Sequence, residues 1–169
     1  MIETERLILR NLKESDLDPI FNWASDEDVT KYVTFPTHKT KEDTKEILDL
    51  WLNEYNKENT VRFAIESKET SEVMGMIDVP RILPEGYPEI GYISAKKYWG
   101  KGYMTEACKA MVNHLFELGY KKIVIRAWVE NIGSNRVIEK AGFSFIKKEE
   151  VHLDKLDKNV TLNFYEINR

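Results

Sequence analysis

Two glycines precede a strong helix signal in the segment YWGKGY, residues 98–103. Glycines let the backbone wrap closely around a ligand, and the unpaired N–H groups at a helix N-terminus carry about half a positive charge. Gly100 and Gly102 therefore predict an anion cradle that would suit a diphosphate. A tight strand-to-helix turn is the alternative, because neither the GxxxxGK[ST] loop nor the third glycine of GxGxxG is present.

A second polar group follows about 30 residues later. Asn131 and Ser134 stand between a predicted strand and a short predicted helix, and Gly142 follows that helix. Taken singly, the first two are ordinary capping residues and the third is an ordinary helix-terminating glycine. Their position downstream of the glycine pair is what favours a shared site.

Other reactive residue types lack the spacing that their chemistry would need. The single cysteine, Cys108, cannot form an internal disulfide or a thiol-rich zinc site, and its position on an apolar helix face predicts a core residue. The histidines His38, His114 and His152 show no metal-ligand spacing. We therefore expect no metal cofactor.

The composition predicts one globular domain over residues 1–169. Lysine and arginine number 25 against 29 aspartate and glutamate residues, so the net charge of -4 argues against a protein that coats nucleic acid. The N-terminus has no apolar signal-peptide core, and no apolar run reaches the ~18 residues of a membrane helix. With a single cysteine, a reducing cytoplasmic location is expected.

Hydrophobic periodicity predicts a mixed α/β fold that positions these segments. The strongest helix signal covers 104–118 and ends at Gly119, and it lies inside a strand-helix-strand crossover over 89–128. Capping-box spacing predicts two earlier helices, from Ser15 to about Ala24 and from Thr40, and a further helix covers 134–141. The predicted strands are 5–10, 61–65, 73–81, 89–94, 122–128, 143–153 and 160–167.

These motifs, in this order, resemble the GNAT superfamily of acyl-CoA-dependent N-acyltransferases. The resemblance is narrower to the Rim-type branch, which acetylates ribosomal-protein N-termini and has polyamine-acetylating relatives. It covers nearly the whole chain and is carried by ETERLILR at 3–10, EIGY at 89–92, YWGKGY at 98–103, Asn131, Ser134 and the pair Gly142-Phe143.

The resemblance implies a twisted, mostly antiparallel central sheet with a splayed parallel strand pair and flanking helices. It also implies acetyl-CoA as co-substrate, with the pyrophosphate on the amides of 99–104 and the pantetheine arm along a strand. The implied contacts are Tyr92, Ile93, Ser94, Trp99, Gly100, Lys101, Gly102, Tyr103, Met104 and Asn131. The family loop begins with Gln or Arg, and Lys97 in that slot is a departure.

The resemblance also implies where the proton-transfer groups stand. Many members use a tyrosine as the general acid, and Ile138 stands in that slot here. The predicted acid is therefore Ser134, which matches the Rim-type serine. The alternative is that the Ser134 hydroxyl only caps the helix. Glu89 fits the slot of the general base, with a solvated strand-end charge as the alternative. Other candidates for the base lie on a later strand: Glu149, Glu150 and His152.

The implied reaction is direct transfer of an acetyl group to an amine while both substrates are bound. At pH 7 roughly a tenth of an α-amine is neutral, against a few parts in ten thousand of a lysine amine, so the undefined base favours a protein N-terminus as acceptor. The alternatives are a polyamine or other small amine, attracted by acids such as those at 26–28, and a non-catalytic acyl-CoA-binding domain. The edge presented by 143–153 and 160–167 predicts a homodimer.

Overall fold

Eight strands form one sheet in the computed structural model, which describes residues 1–169. Across the sheet the order is β1-β2-β3-β4-β5-β6-β8-β7, and only β5 and β6 run parallel. The strands are β1 Ile2–Glu3, β2 Leu7–Arg10, β3 Arg62–Ser67, β4 Val73–Ile82, β5 Pro88–Ser94, β6 Lys122–Trp128, β7 Ser144–Leu153 and β8 Lys158–Asn168. The helices are α1 Leu17–Ala24, α2 Glu27–Thr30, α3 Lys41–Glu54, α4 Tyr103–Glu117 and α5 Ile132–Lys140. The predicted mixed α/β fold is confirmed.

Helices cover both faces of the sheet. On the α4 face, α4 and α5 contribute Met111, Leu115 and Ile138 to a core shared with Leu7, Ile65 and other strand residues. On the α3 face, α1 and α3 contribute a second core that includes the strand residues Ala64, Met76 and Ile93. None of the helices is long and apolar enough to cross a membrane.

The helix starts show where capping signals were informative and where they were misleading. The box at Thr40 is confirmed, since the Asp43 N–H donates to Thr40 Oγ1 (3.3 Å) and Asp43 Oδ2 accepts from the Thr40 N–H (3.0 Å). The Ser15 box is wrong: Asp16 Oδ2 accepts from the Lys13 N–H (2.8 Å) instead, and a 3-10 turn precedes α1. Asp16 also forms an ion pair with Arg10, which fixes that turn against β2.

Two short elements, β1 and α2, were not predicted, because neither has enough residues to show a period. Helix α5 begins at Ile132, two residues earlier than its predicted start. This difference matters for the site, because it makes Asn131 the residue that precedes the helix.

The parallel contact between β5 and β6 is short. Glu89 lies opposite Val124 and Ile90 opposite Ile125, and the pairing stops there. Beyond this point β5 stays paired with β4 as far as Ser94, and β6 stays paired with β8 as far as Trp128. The two strands therefore diverge and leave an opening between 91–94 and 126–128, which we call the β5–β6 gap.

A bulge in β4 lies beside this gap. Asp78 is opposite Gly91 and Arg81 is opposite Glu89, so three steps along β4 match two along β5. Pro80, between them, has no N–H to give to the ladder. Because residues opposite each other share a face, the bulge keeps both Asp78 and Arg81 on the α3 face, on the same side of the sheet as Ile93.

Candidate active site

The main chain of β5 is available in the β5–β6 gap. Along an antiparallel pair, alternate residues direct both their N–H and C=O groups to the neighbouring strand. The Ala95 N–H donates to Met74 O on the β4 side (2.9 Å), so the same alternation turns Ile93 toward β4 and turns Tyr92 and Ser94 toward the gap. Of the three strand residues predicted to contact the cofactor, Tyr92 and Ser94 thus direct their main chain to the gap, where the Ser94 C=O already accepts from Trp99 Nε1 (3.0 Å).

The loop before α4 forms a row of free amides. Gly100 and Gly102 have φ angles of 71° and 80°, a left-handed conformation that other residues rarely adopt. The six consecutive N–H groups of residues 100–105 donate to no backbone carbonyl, whereas the Trp99 N–H is already bonded to Lys96 O (3.0 Å). The cradle is therefore one residue further along than predicted: it includes Thr105, and the Trp99 amide is already engaged. Its shape and its helix dipole fit a diphosphate.

Arg6, immediately before β2, fixes this loop. Its Nη1 donates to Lys101 O (2.9 Å), its Nε donates to Glu106 Oε2 (2.6 Å), and its guanidinium lies 4.4 Å from the centre of the Tyr103 ring. Burial raises the pKa of Glu106, but hydrogen bonds from Thr4 and Arg6 outweigh it and the pKa is lowered. Arg6 thus orders the loop and places a positive charge beside it.

The start of α5 contacts β5 through a pair of hydroxyl groups. Asn131 caps the helix, because its Oδ1 accepts from the Ser134 N–H (3.2 Å). Ser134 lies within the first turn, and its Oγ is 2.7 Å from the hydroxyl of Tyr92. The alternative that Ser134 is the capping hydroxyl is therefore wrong. Burial raises the pKa of Tyr92, so this phenol stays protonated.

Asn135, which the sequence analysis did not single out, fixes the start of α5 to the sheet. Its Nδ2 donates to Trp128 O (2.9 Å), and its Oδ1 accepts from the side chains of Asn163 (2.8 Å) and Tyr165 (2.6 Å). One amide thus connects α5 to β6 and β8. Ile138, in the usual tyrosine slot, is fully buried in the core and has no proton to give.

Glu89 is buried on the α3 face at the narrow end of the gap. Its Oε2 accepts from Arg81 Nη2 (2.9 Å), and its Oε1 accepts from Arg126 Nε (3.2 Å). Only 6% of the residue is exposed, so it is not a solvated strand-end charge. Both oxygens are occupied by arginine N–H groups.

A second buried carboxylate, Asp78, lies on the same face and was missed in the sequence. Its Oδ2 accepts from Arg62 Nε (3.1 Å), and Arg62 Nη1 donates in turn to Glu54 Oε2 on α3 (2.6 Å). Burial raises the pKa of Asp78 to about 6, although Arg62 opposes that rise. The signal that could have found it is a single acid within the apolar run VMGMIDV of β4.

The structure does not bring the remaining candidates to the gap. Glu149, Glu150 and His152 lie on the edge strand β7, where Glu149 pairs with Lys147 (2.6 Å). Cys108 is fully buried, and burial raises the pKa of its thiol to about 12, so the prediction of a core residue is confirmed.

Comparison with known proteins agrees with this geometry. Residues 6–144 match the acetyltransferase (GNAT) domain model, and the chain therefore belongs to the GNAT acetyltransferase family. The uncharacterized N-acetyltransferase p20 of Bacillus licheniformis is 32% identical over 143 residues, which cover 83% of this chain and 80% of p20. The ribosomal-protein-serine acetyltransferase of Escherichia coli is 34% identical over 74 residues, 43% of this chain and 41% of that protein.

Among solved structures, a GNAT-family acetyltransferase from Bacillus anthracis superposes with a TM-score of 0.85 at 26% identity, over 99% of this chain and 97% of that one. The predicted GNAT fold, with its splayed parallel pair, is thereby confirmed. The protein is an acetyl-CoA-dependent N-acyltransferase.

Proposed function

We propose that this enzyme acetylates the α-amine of a protein N-terminus, by direct attack of the amine on acetyl-CoA while both are bound. The observation that carries the proposal is the β5–β6 gap, which has free main-chain amides toward α4 and buried carboxylates on the α3 face. The similarity to a ribosomal-protein-serine acetyltransferase supports a protein N-terminus as acceptor. The proposed place of action is the cytoplasm, since the single cysteine is buried and unpaired.

The residues that would hold acetyl-CoA are mostly main chain. The amides of 100–105 would bind the pyrophosphate, and Tyr92 and Ser94 would pair with the pantetheine arm as an added strand would. Asn131 would contribute its Nδ2, because its Oδ1 is used by the helix cap. The thioester supplies an activated acetyl group, and the protein aligns the amine with it.

We assign proton delivery to the leaving sulfur to Ser134. In the arrangement where Tyr92 donates to Ser134 Oγ, the serine proton is free to point into the gap, and solvent would replace it after transfer. For the base, Glu89 is the residue that the resemblance implies. It would have to release an arginine N–H before it could take a proton.

An acceptor panel tests the proposed function. Thiol release from acetyl-CoA is measured with a peptide that has a free N-terminus and no lysine, with the same peptide N-acetylated and carrying one lysine, and with spermidine. We expect the first to have the highest kcat/KM. Preference for spermidine would identify a polyamine acetyltransferase, and acetyl-CoA binding without transfer to any amine would identify a non-catalytic domain.

The proposed assembly is a homodimer formed through β7. This strand pairs only with β8, so its other edge is free, and two apolar residues on it, Phe145 and Ile146, are 52% and 49% exposed. Light scattering should give twice the 19.9 kDa of one chain. Ile146→Glu should yield monomers, whereas Leu50→Glu, at an equally exposed leucine on α3, should not. A mass of one chain at tens of micromolar would contradict the dimer.

A further inference from the structure

Asp78 lies beside the β5–β6 gap, in close contact with a glycine on the neighbouring strand. Gly91 lies opposite it, and a Cβ atom added to Gly91 would be 3.1 Å from Asp78 Oδ1. The carboxylate therefore lies over the main chain of β5 where a side chain would otherwise be. Gly91 is the first β5 residue past the parallel pairing, immediately before Tyr92.

The two oxygens of Asp78 are in different situations. Oδ2 is held by Arg62, whereas Oδ1 accepts no hydrogen bond from the chain. Only 7% of Asp78 is exposed, yet Oδ1 is not one of the fully buried polar atoms that lack a partner, so this oxygen remains accessible. A ligand N–H could therefore donate to it. In Glu89, by contrast, both oxygens already have arginine donors.

On the α3 face, β6 is partly open to solvent. The β6 residues that face α4, among them Ile123 and Ile125, are buried, whereas Val124 and Arg126 on the opposite face are only partly buried. An acceptor can thus reach the gap from the α3 face while the cofactor amides lie on the side of α4.

We propose that Asp78 is the general base, with Oδ1 accepting a proton from the acceptor amine as the new C–N bond forms. The inference rests on the proposed acetyl transfer. The nitrogen lone pair bonds to the thioester carbon, the C–S bond breaks, and sulfur keeps the electron pair. One nitrogen proton goes to Asp78 and then to solvent, and the sulfur receives one proton through Ser134, which solvent replaces.

The charges around Asp78 suit this role. Arg62 on β3 keeps the carboxylate ionised at neutral pH, and Glu54 on α3 shares that arginine. The phenol of Tyr55 faces the same pair and donates to Arg62 O (2.8 Å). β5 presents only Gly91 here, and the charge of Glu89 is balanced by its own two arginines.

The pH dependence of kcat/KM follows from these charges. A base with a pKa of about 6 is active above that pH and is lost as pH falls through it. The acceptor α-amine, with a pKa near ~8, contributes one further protonation. Because kcat/KM reports the free enzyme and free substrate, log(kcat/KM) should rise by one unit per pH unit between about 6 and 8 and by two below about 6.

The test uses the full chain with acetyl-CoA and the N-terminal peptide. Asp78→Asn should lower kcat/KM at pH 7 by about 10²–10⁴-fold and reduce the slope below pH 6 from two to one, with acetyl-CoA affinity unchanged by calorimetry. Arg62 keeps Glu54 as partner in this variant, which favours folding. Glu89→Gln is the matched comparison and should keep the slope of two.

Three results would each overturn the proposal. The first is a folded Asp78→Asn protein with the wild-type rate and profile, and the second is a Glu89→Gln protein that alone loses the second protonation. The third needs no variant: an unaltered enzyme whose slope stays at one below pH 6. If the N-terminal peptide is not a substrate, the proposed acceptor fails, and the same profile is then measured with whichever amine of the panel releases thiol.

Discussion

The two sides of β5 offer different kinds of chemical group. Toward α4, the groups on offer are main-chain amides from 100–105 and the main chain of Tyr92 and Ser94, whose positions depend on glycine conformation and strand alternation. On the α3 face, the groups are the side chains of Asp78 and Glu89, each held by arginines. Main-chain amides suit a constant cofactor, whereas side chains can change with the acceptor.

This difference explains how much of the site could be predicted from the sequence. The proposed cofactor side lies mostly within one contiguous stretch, so the strand, the glycine pair and the helix start were all predictable, and the row of free amides begins one residue after the predicted 99–104. The α3 face is assembled from α3, β3, β4 and β5, and no local pattern indicates that Asp78 meets Gly91. That contact depends on strand register and on a bulge at Pro80, and both are set by the whole sheet.

The fold itself shows the same limit. Long periodic elements such as α4 were predicted to within a residue or so, because their apolar spacing determines both the helix and its buried face. Helix α5 begins two residues before its predicted start, because its cap is Asn131 and not Ser134. The contact of the Ser134 hydroxyl with Tyr92 joins residues 42 positions apart, which sequence spacing does not reveal.

After the loss expected for Asp78→Asn, the largest expected effect is on proton delivery to the leaving sulfur. Ser134→Ala removes the hydroxyl that meets Tyr92 but leaves Asn131 to cap α5 through the main chain of residue 134. We expect kcat to fall by about 10²-fold, the lower end for general acid catalysis, because a thiolate is a fairly good leaving group. Steady-state kinetics with the N-terminal peptide measures kcat, and calorimetry measures acetyl-CoA affinity, which should be unchanged.

A control variant and two contrary outcomes complete the test of Ser134. Ser144→Ala, at an exposed position in β7, is the control and should leave kcat unchanged. If Ser134→Ala turns over at the wild-type rate, the serine has a structural role only. If it loses acetyl-CoA affinity instead, Ser134 belongs to the cofactor site and not to the chemistry.

A smaller effect is expected when charge is added to the amide cradle. Gly100→Asp puts a carboxylate beside the predicted pyrophosphate site, and nothing lies within 4 Å of the new Cβ. Repulsion between like charges should weaken acetyl-CoA binding by about tenfold, or about 1.4 kcal/mol, and more at low salt. Calorimetry at two salt concentrations measures this loss.

Gly86→Asp is a close control for backbone strain. Its φ of 86° is as left-handed as that of Gly100, and its Cβ also meets nothing within 4 Å, but it lies in the loop between β4 and β5. It should therefore have the same cost in folding and leave acetyl-CoA affinity intact. Equal losses of affinity in both variants would mean that strain, not charge, acts on the cradle.

The smallest effect concerns the clamp that orders the cradle, and it has a defined pH dependence. Glu106 accepts from Thr4 Oγ1 and from the main chain and side chain of Arg6. Since its pKa is lowered in the folded state, its stabilisation is present above the unfolded glutamate value near ~4.3 and is lost as pH falls through the lower, folded value. Glu106→Gln should therefore lower the free energy of unfolding by about 1 kcal/mol at pH 7. This value is modest because Arg6 is 41% exposed, and the difference from the wild type should shrink below pH 4.

Urea unfolding at pH 7 and below pH 4 measures this difference in stability. The control is Glu117→Gln, at an exposed position at the other end of α4, which should change stability little at either pH. A Glu106 effect that persists unchanged at low pH would mean that side-chain shape, rather than its charge, holds the loop against β2.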